Sequence, residues 1–139
     1  MNVPGPAKLL LDTDMLSAIM RDNPAAISKA LAYLAEHDRF SFSIITRYEI
    51  LRGLKAKHAT RQAEAFEQFC ASSEVLYLTD AGIVKAAEIY ADLRGGGMLI
   101  GDADILIAAT ALVSGAGLVT SNEQHFNRVH GLHVENWLK

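Results

Sequence analysis

Hydrophobic positions along this chain follow two rhythms: short unbroken runs, and longer stretches with a helical repeat. The run Lys8 to Leu11 stops at Asp12 and predicts a strand buried on both faces. Arg39–Ser43, Glu74–Leu78 and Gly117–Thr120 predict further strands, and Leu132–Val134 an edge strand. Helical patterns lie between them. Thr13–Met20 predicts a short helix. Pro24 opens a second one, in which Ala25 to Glu36 carries Ile27, Ala30, Leu31 and Leu34 at helical spacing. Thr46–Lys57 has Tyr48, Leu51 and Leu54 on one side, and Thr60–Ala71 turns Ala63, Phe66 and Phe69 or Cys70 inward. Thr79 is the predicted cap of a helix reaching about Leu93, where Gly95, Gly96 and Gly97 end it. Gly101 and Asp102 open a helix through Val113, which Gly115 and Gly117 stop; residues 122–129 predict a short helix or turn.

Short apolar strands alternating with helices predict an α/β fold with a mainly parallel sheet. In such sheets reactive groups gather at the carboxyl ends of the strands. With 139 residues and no repeat, linker or low-complexity segment, the expected organisation is a single domain over residues 1–139. Residues 1–7, with Pro4, Gly5 and Pro6 close together, are expected to be a loose tail.

Composition narrows the function classes. Half the residues are hydrophobic (50%) and 21% are charged, which excludes a disordered or collagen-like chain. A single cysteine, Cys70, excludes a disulfide framework and a cysteine-based zinc site. No apolar run reaches the ~18 residues of a membrane span, and the opening MNVPGPAKLLLDTD lacks the pattern of a signal peptide. The expected location is cytoplasmic, with no membrane partner. The net charge of −3 supplies no global attraction to nucleic acid, so any such binding needs a local basic patch.

The acids stand where chemistry is expected. Asp12 follows the apolar strand directly, and a carboxylate at a buried strand end is costly unless a helix N-terminus or a cation compensates it. Capping the next helix is its plain structural alternative, and Asp14 in the first turn has the same alternative. Glu49 lies within a helix with apolar neighbours; its plain alternative is an i,i+3 pair with Arg52. Asp102 is the expected N-cap of its helix, and Asp104 sits in that helix's first turn, where the dipole favours an acid. Asn122 follows a strand and is followed by His125 and Phe126; an amide there holds a loop or orients a water or metal. If Asp12, Glu49 and Asp104 meet in one pocket they repel one another, and a hard cation such as Mg²⁺ or Mn²⁺ relieves this. An acid-lined Mg²⁺ site activates water and stabilises charge on a phosphodiester, which points to a nuclease or another phosphoryl-transfer enzyme.

The ordered set LLLDTDMLS, TRYEILRGL, IGDADILIAATAL and LVTSNEQHF resembles a PIN domain, and more closely the VapC-type toxin ribonucleases of toxin–antitoxin pairs. The resemblance covers nearly the whole chain. It implies a three-layer α/β/α fold, a Mg²⁺-dependent endoribonuclease, a cognate antitoxin and a homodimer. It places the family's acids on Asp12, Glu49 and Asp104, with Mg²⁺ held by Asp12 and Asp104 and with Glu49 close by or reached through water. The fourth position, often Asp in the family, is Asn122, and an acid that some members carry before the phenylalanine is replaced by His125. Thr13 and Thr120 are expected to lend hydroxyls near the site. Arg47 and Arg52, from the basic stretch that continues through Lys55, Lys57, His58 and Arg61, are expected to hold RNA phosphates.

Two other readings fit parts of the chain. Asp12-Thr13-Asp14 also satisfies the Asp-x-Asp of haloacid-dehalogenase-like phosphatases, with Asp12 as nucleophile and Asp14 as acid–base. That reading requires a later Asp where Leu106 stands, and it gives Glu49 no role. A non-catalytic RNA- or partner-binding PIN module is the other alternative, carried by Asn122 and His125.

Overall fold

The computed structural model describes residues 8–139; the predicted tail at 1–7 lies outside the described residues. The order of elements is β1 (Leu9–Leu11), α1 (Thr13–Met20), α2 (Pro24–Glu36), β2 (Ser41–Ser43), α3 (Ile44–Ala56), α4 (Thr60–Ala71), β3 (Glu74–Leu76), α5 (Asp80–Gly95), α6 (Asp102–Val113), β4 (Gly117–Val119), α7 (Glu123–Phe126) and β5 (Val134–Glu135). The strands form one five-stranded sheet in the order β3-β2-β1-β4-β5, and every pairing is parallel.

The central strands are buried on both faces because their side chains alternate between two separate cores. Leu9 and Leu11 of β1, Phe42 of β2 and Val119 of β4 join Met15, Leu16, Ala30, Phe66 and Trp137 on one face. Leu10 and Leu118 join Ile89, Ile105, Ile107, Ala108 and Phe126 on the other. Helices α1 to α4 cover the first face and α5 to α7 the second, giving the three-layer α/β/α arrangement.

Several predicted boundaries move, for local reasons. Helix α3 begins at Ile44 rather than Thr46, because the Ser43 hydroxyl accepts a hydrogen bond from the Ile45 N–H (3.0 Å) and caps it. Strands β2 and β3 are shorter than predicted, β5 lies one to two residues later, and α5 runs on to Gly95. Thr79 caps α5 as expected, accepting from the Gly82 N–H at 3.0 Å. Asp102 is not a cap: Gly101 holds that position without a side-chain bond, and Asp102 is the first, exposed helical residue.

The apolar stripes of α2 and α3 are also rotated from expectation. Helix α2 buries Ala26, Ala30 and Tyr33 while Leu31 is 63% exposed, because small alanines let the helix approach the sheet closely. Helix α3 buries Thr46 and Ile50, and Tyr48 faces outward.

One glycine is dictated by packing. A Cβ on Gly117 would lie 2.9 Å from Leu9 Cδ2 of β1 and 2.9 Å from His133 Cδ2 just before β5. Gly117→Ala is expected to lower stability by about 1–3 kcal/mol, the usual cost of overpacking, read as a lower denaturation midpoint at unchanged slope.

Candidate active site

Strand order reverses direction between β1 and β4, since β2 and β3 are added on one side and β5 on the other. The crevice at the carboxyl ends of those two strands is where doubly wound sheets bind ligands. Asp12 stands at that point. Its N–H still bonds the Val119 carbonyl (3.0 Å), and its extended backbone then turns the chain into α1. Its Oδ1 accepts from the Met15 N–H at 2.8 Å, so Asp12 is the N-cap of α1. The capping alternative is thus realised, but it accounts for one carboxylate oxygen only.

Thr120, the residue after β4, is fully buried beside Asp12. Its hydroxyl lies against the Asp12 carboxylate and favours its charged form, and it accepts from the Asn122 N–H at 2.9 Å. Asn122 Nδ2 in turn lies 2.7 Å from His125 Nδ1 across the start of α7. A line of polar contacts therefore runs from Asp12 to Thr120, and a hydrogen-bonded chain from there through Asn122 to His125.

Glu49 reaches the same crevice from α3. Thr13, the residue after Asp12, donates its hydroxyl to Glu49 Oε1 at 2.6 Å, and the Thr13 Oγ1 itself lies 3.2 Å from the buried Thr46 hydroxyl. Glu49 Oε2 is 3.7 Å from the Arg52 guanidinium, so the expected i,i+3 pair forms without consuming the carboxylate. Arg52 also lies over the Tyr48 ring, 5.2 Å from its centre. Thr46 is the site residue that sequence reasoning missed. Its signal is the spacing Thr46-x-x-Glu49, which puts the two side chains on one helix face.

Electrostatics tie in the third acid. Asp12 is pushed up to about 7, chiefly by burial; bonds from Thr120 and the Met15 N–H oppose this, and the charges of Asp14 and Asp104 add to it. Asp104, half-buried in the first turn of α6, is also raised, first by burial and then by the charge of Glu49, while His125 pulls it down. The acids from α1, α3 and α6 are thus within electrostatic reach of one another. An exposed Asp14 contributes to the same field.

This donor set suits a hard cation. Buried carboxylates that mutually raise their proton affinity are the groups a divalent ion compensates. Among the described residues no three His, Cys, Asp or Glu side chains are gathered closely enough to ligate one ion directly. Mg²⁺ keeps several waters and binds through one or two carboxylates, so it does not require such a cluster. An open groove of about 650 Å³ leads away from Thr13 and Glu49 between α1, α3 and α4, past Ser17, Arg21, Lys57 and Phe66.

Other expected site residues lie elsewhere or do other work. Arg47 is not brought to the crevice: its guanidinium forks onto Glu67 of α4 at 2.9 and 2.7 Å, and it lines a separate cavity with Arg39, Cys70 and Tyr77. Thr13 and Thr120 do lie at the site, where their hydroxyls hold Glu49 and Asp12.

A PIN domain model matches residues 9–132. The chain is 32% identical to ribonuclease VapC1 of Methanocaldococcus jannaschii over 123 residues, covering 88% of this chain and 82% of the relative. It is 28% identical to the tRNA(fMet)-specific endonuclease VapC of Shigella flexneri, covering 94% of this chain and 98% of that one. Among solved structures it is similar to the VapBC2 complex of Rickettsia felis bound to a promoter DNA fragment, with a TM-score of 0.82, 26% identity and coverage of 93% and 98%.

Proposed function

Because the chain belongs to the PIN domain family, we propose that it is the endoribonuclease toxin of a toxin–antitoxin pair, dependent on Mg²⁺ or Mn²⁺ and restrained by a cognate antitoxin. One observation carries the chemistry: half-buried Asp104 lies within electrostatic reach of both buried Asp12, at the strand-order reversal, and Glu49, three acids from three separate segments. The phosphatase alternative leaves Glu49 idle, whereas Thr13 here anchors it inside the same site. Relatives named as ribonucleases and a neighbour solved as a VapBC complex support the substrate class and the partner. No helix among the described residues is long and apolar enough to cross a membrane; a cytoplasmic location and a homodimer complete the proposal.

Asp12 and Asp104 would hold the cation, with Glu49 beside it or joined through a water. When bound, the ion lowers the pKa of a coordinated water and offsets charge on the phosphate oxygens. The protein supplies the rest. Thr13 fixes Glu49 Oε1, leaving Oε2 to take the proton of the attacking water. Asp12 is held in place by Thr120 and by the start of α1, so it need not reorganise during the reaction. An unpaired RNA segment fits an open, acid-floored crevice better than a duplex does, and Arg52 at its rim meets a backbone phosphate.

The test is RNA cleavage by the purified chain, stripped of any bound antitoxin. Cleavage in Mg²⁺, its loss in EDTA and its recovery on adding Mn²⁺ are expected. RNA binding without cleavage in either ion would instead support the silent module.

A further inference from the structure

Negative charge dominates the crevice, yet its substrate is a polyanion. Asp14 and Asp104 act on Asp12 there, Glu49 and Asp14 act on Asp104, and Arg52 is drawn toward Glu49. The line of polar contacts from Asp12 ends differently, on the His125 ring. Asn122 Nδ2 is an amide nitrogen and can only donate, so the His125 Nδ1 that it meets at 2.7 Å is an acceptor. The ring proton is therefore on Nε2. Among the described residues Nε2 has no hydrogen-bond partner and is not sealed from solvent. His125 is half-buried on α7, directly beyond the carboxyl end of β4 and within electrostatic reach of Asp104. Phe126, 1% exposed in the second core, anchors the same turn, so the ring cannot drift with a loose loop.

We propose that His125 is a substrate-contacting residue, whose imidazole, oriented by Asn122, donates Nε2–H to a non-bridging phosphate oxygen of RNA in the crevice. This rests on the nuclease reading above. The residue supplies attraction where a further acid would add repulsion, and no proton changes hands. Asn122 is then a positioning residue: it sets the tautomer and touches neither metal nor phosphate.

The experiment uses the full chain, labelled with ¹⁵N in its histidines, and a mixed-sequence single-stranded RNA oligomer as probe. With Ca²⁺ replacing Mg²⁺, long-range proton–nitrogen spectra are expected to show the His125 proton on Nε2, and that nitrogen to shift when RNA is added. In Mg²⁺, His125→Ala is expected to raise KM about tenfold, the loss of one hydrogen bond to a charged group, with kcat changed much less. His125→Gln, which keeps a side-chain donor, is expected to recover part of that loss. A wild-type chain that cleaves RNA while its Nε2 resonance ignores the oligomer overturns the proposal, as does a His125→Ala variant with unchanged KM. A wild-type chain that neither binds nor cleaves RNA overturns the nuclease reading itself, and the contact falls with it.

Discussion

Asp104→Asn is expected to abolish RNA cleavage, reducing the rate by at least about 10³-fold, the scale of several kcal/mol of charge stabilisation at the reacting phosphate. The substitution keeps size and shape. It removes one of the two carboxylates placed to hold the cation and leaves Thr13, Glu49 and Arg52 where they are. It also removes a charge that repels Asp12, so the fold should not suffer. Asp102→Asn is the matched control two residues away: Asp102 is exposed and outside the site, and its loss should change the rate by no more than a few-fold. Cleavage rates in Mg²⁺ alongside thermal melts of all three proteins give the answer. Substantial cleavage by the Asp104 variant, or equal losses in both, would remove Asp104 from the metal site.

The second large effect is on stability, and it depends on pH. Asp12 has a folded pKa of about 7 against an ordinary value of 3.8. The folded state therefore binds this proton more tightly than the unfolded chain does. Stability from this group is fully present below about pH 4, falls as pH rises, and is lost by about pH 7, a penalty of roughly 4 kcal/mol. Asp12→Asn removes that penalty while keeping an acceptor for the Met15 N–H. Without divalent cations the variant should match the wild type near pH 4 and exceed it by several kcal/mol at pH 8. Adding Mg²⁺ should close the gap, because the ion stabilises only the wild-type carboxylate. Denaturant titrations across this range test it. A pH-independent gap would mean that burial, and not ionisation, sets the difference. Glu74 runs the other way: the Lys8 ammonium, the Ser41 hydroxyl and the Arg39 charge hold it low, so its contribution disappears as pH falls. Comparing the two proteins at each pH cancels that background.

Strands and helices were legible because both rhythms are strong where burial is complete. Leu9-Leu10-Leu11 has no polar residue because it is covered by a core on each side. The ends were less legible. Ser43 looks like the end of a strand, and only its side-chain bond to the Ile45 N–H shows that α3 starts there. The facing of α2 departs from its large apolar residues because the close packing is made by Ala26 and Ala30, which carry little hydrophobic signal. At the site, Asp12 and Asp104 could be picked out by position, after a strand and in a helical first turn, and Glu49 as an acid among apolar neighbours within a helix. Their convergence could not, since it depends on β4 lying beside β1, more than a hundred residues away in sequence. Arg47 shows the converse. Its basic neighbourhood suggested RNA, but Glu67 lies twenty residues on, and only the packing of α4 against α3 brings the two together.

The sheet separates the two cores over most of its area, yet the acids come from both sides of it. Asp12 and Glu49 ride on helices seated in one core, and Asp104 rides on a helix seated in the other. A ligand that touches all three acts as a rivet through the partition, and neither helical layer can peel away without first releasing it. The same construction makes the crevice a sensitive gauge of layer alignment. Loosening either core by a fraction of an ångström should weaken the grip on the ligand well before any helix melts.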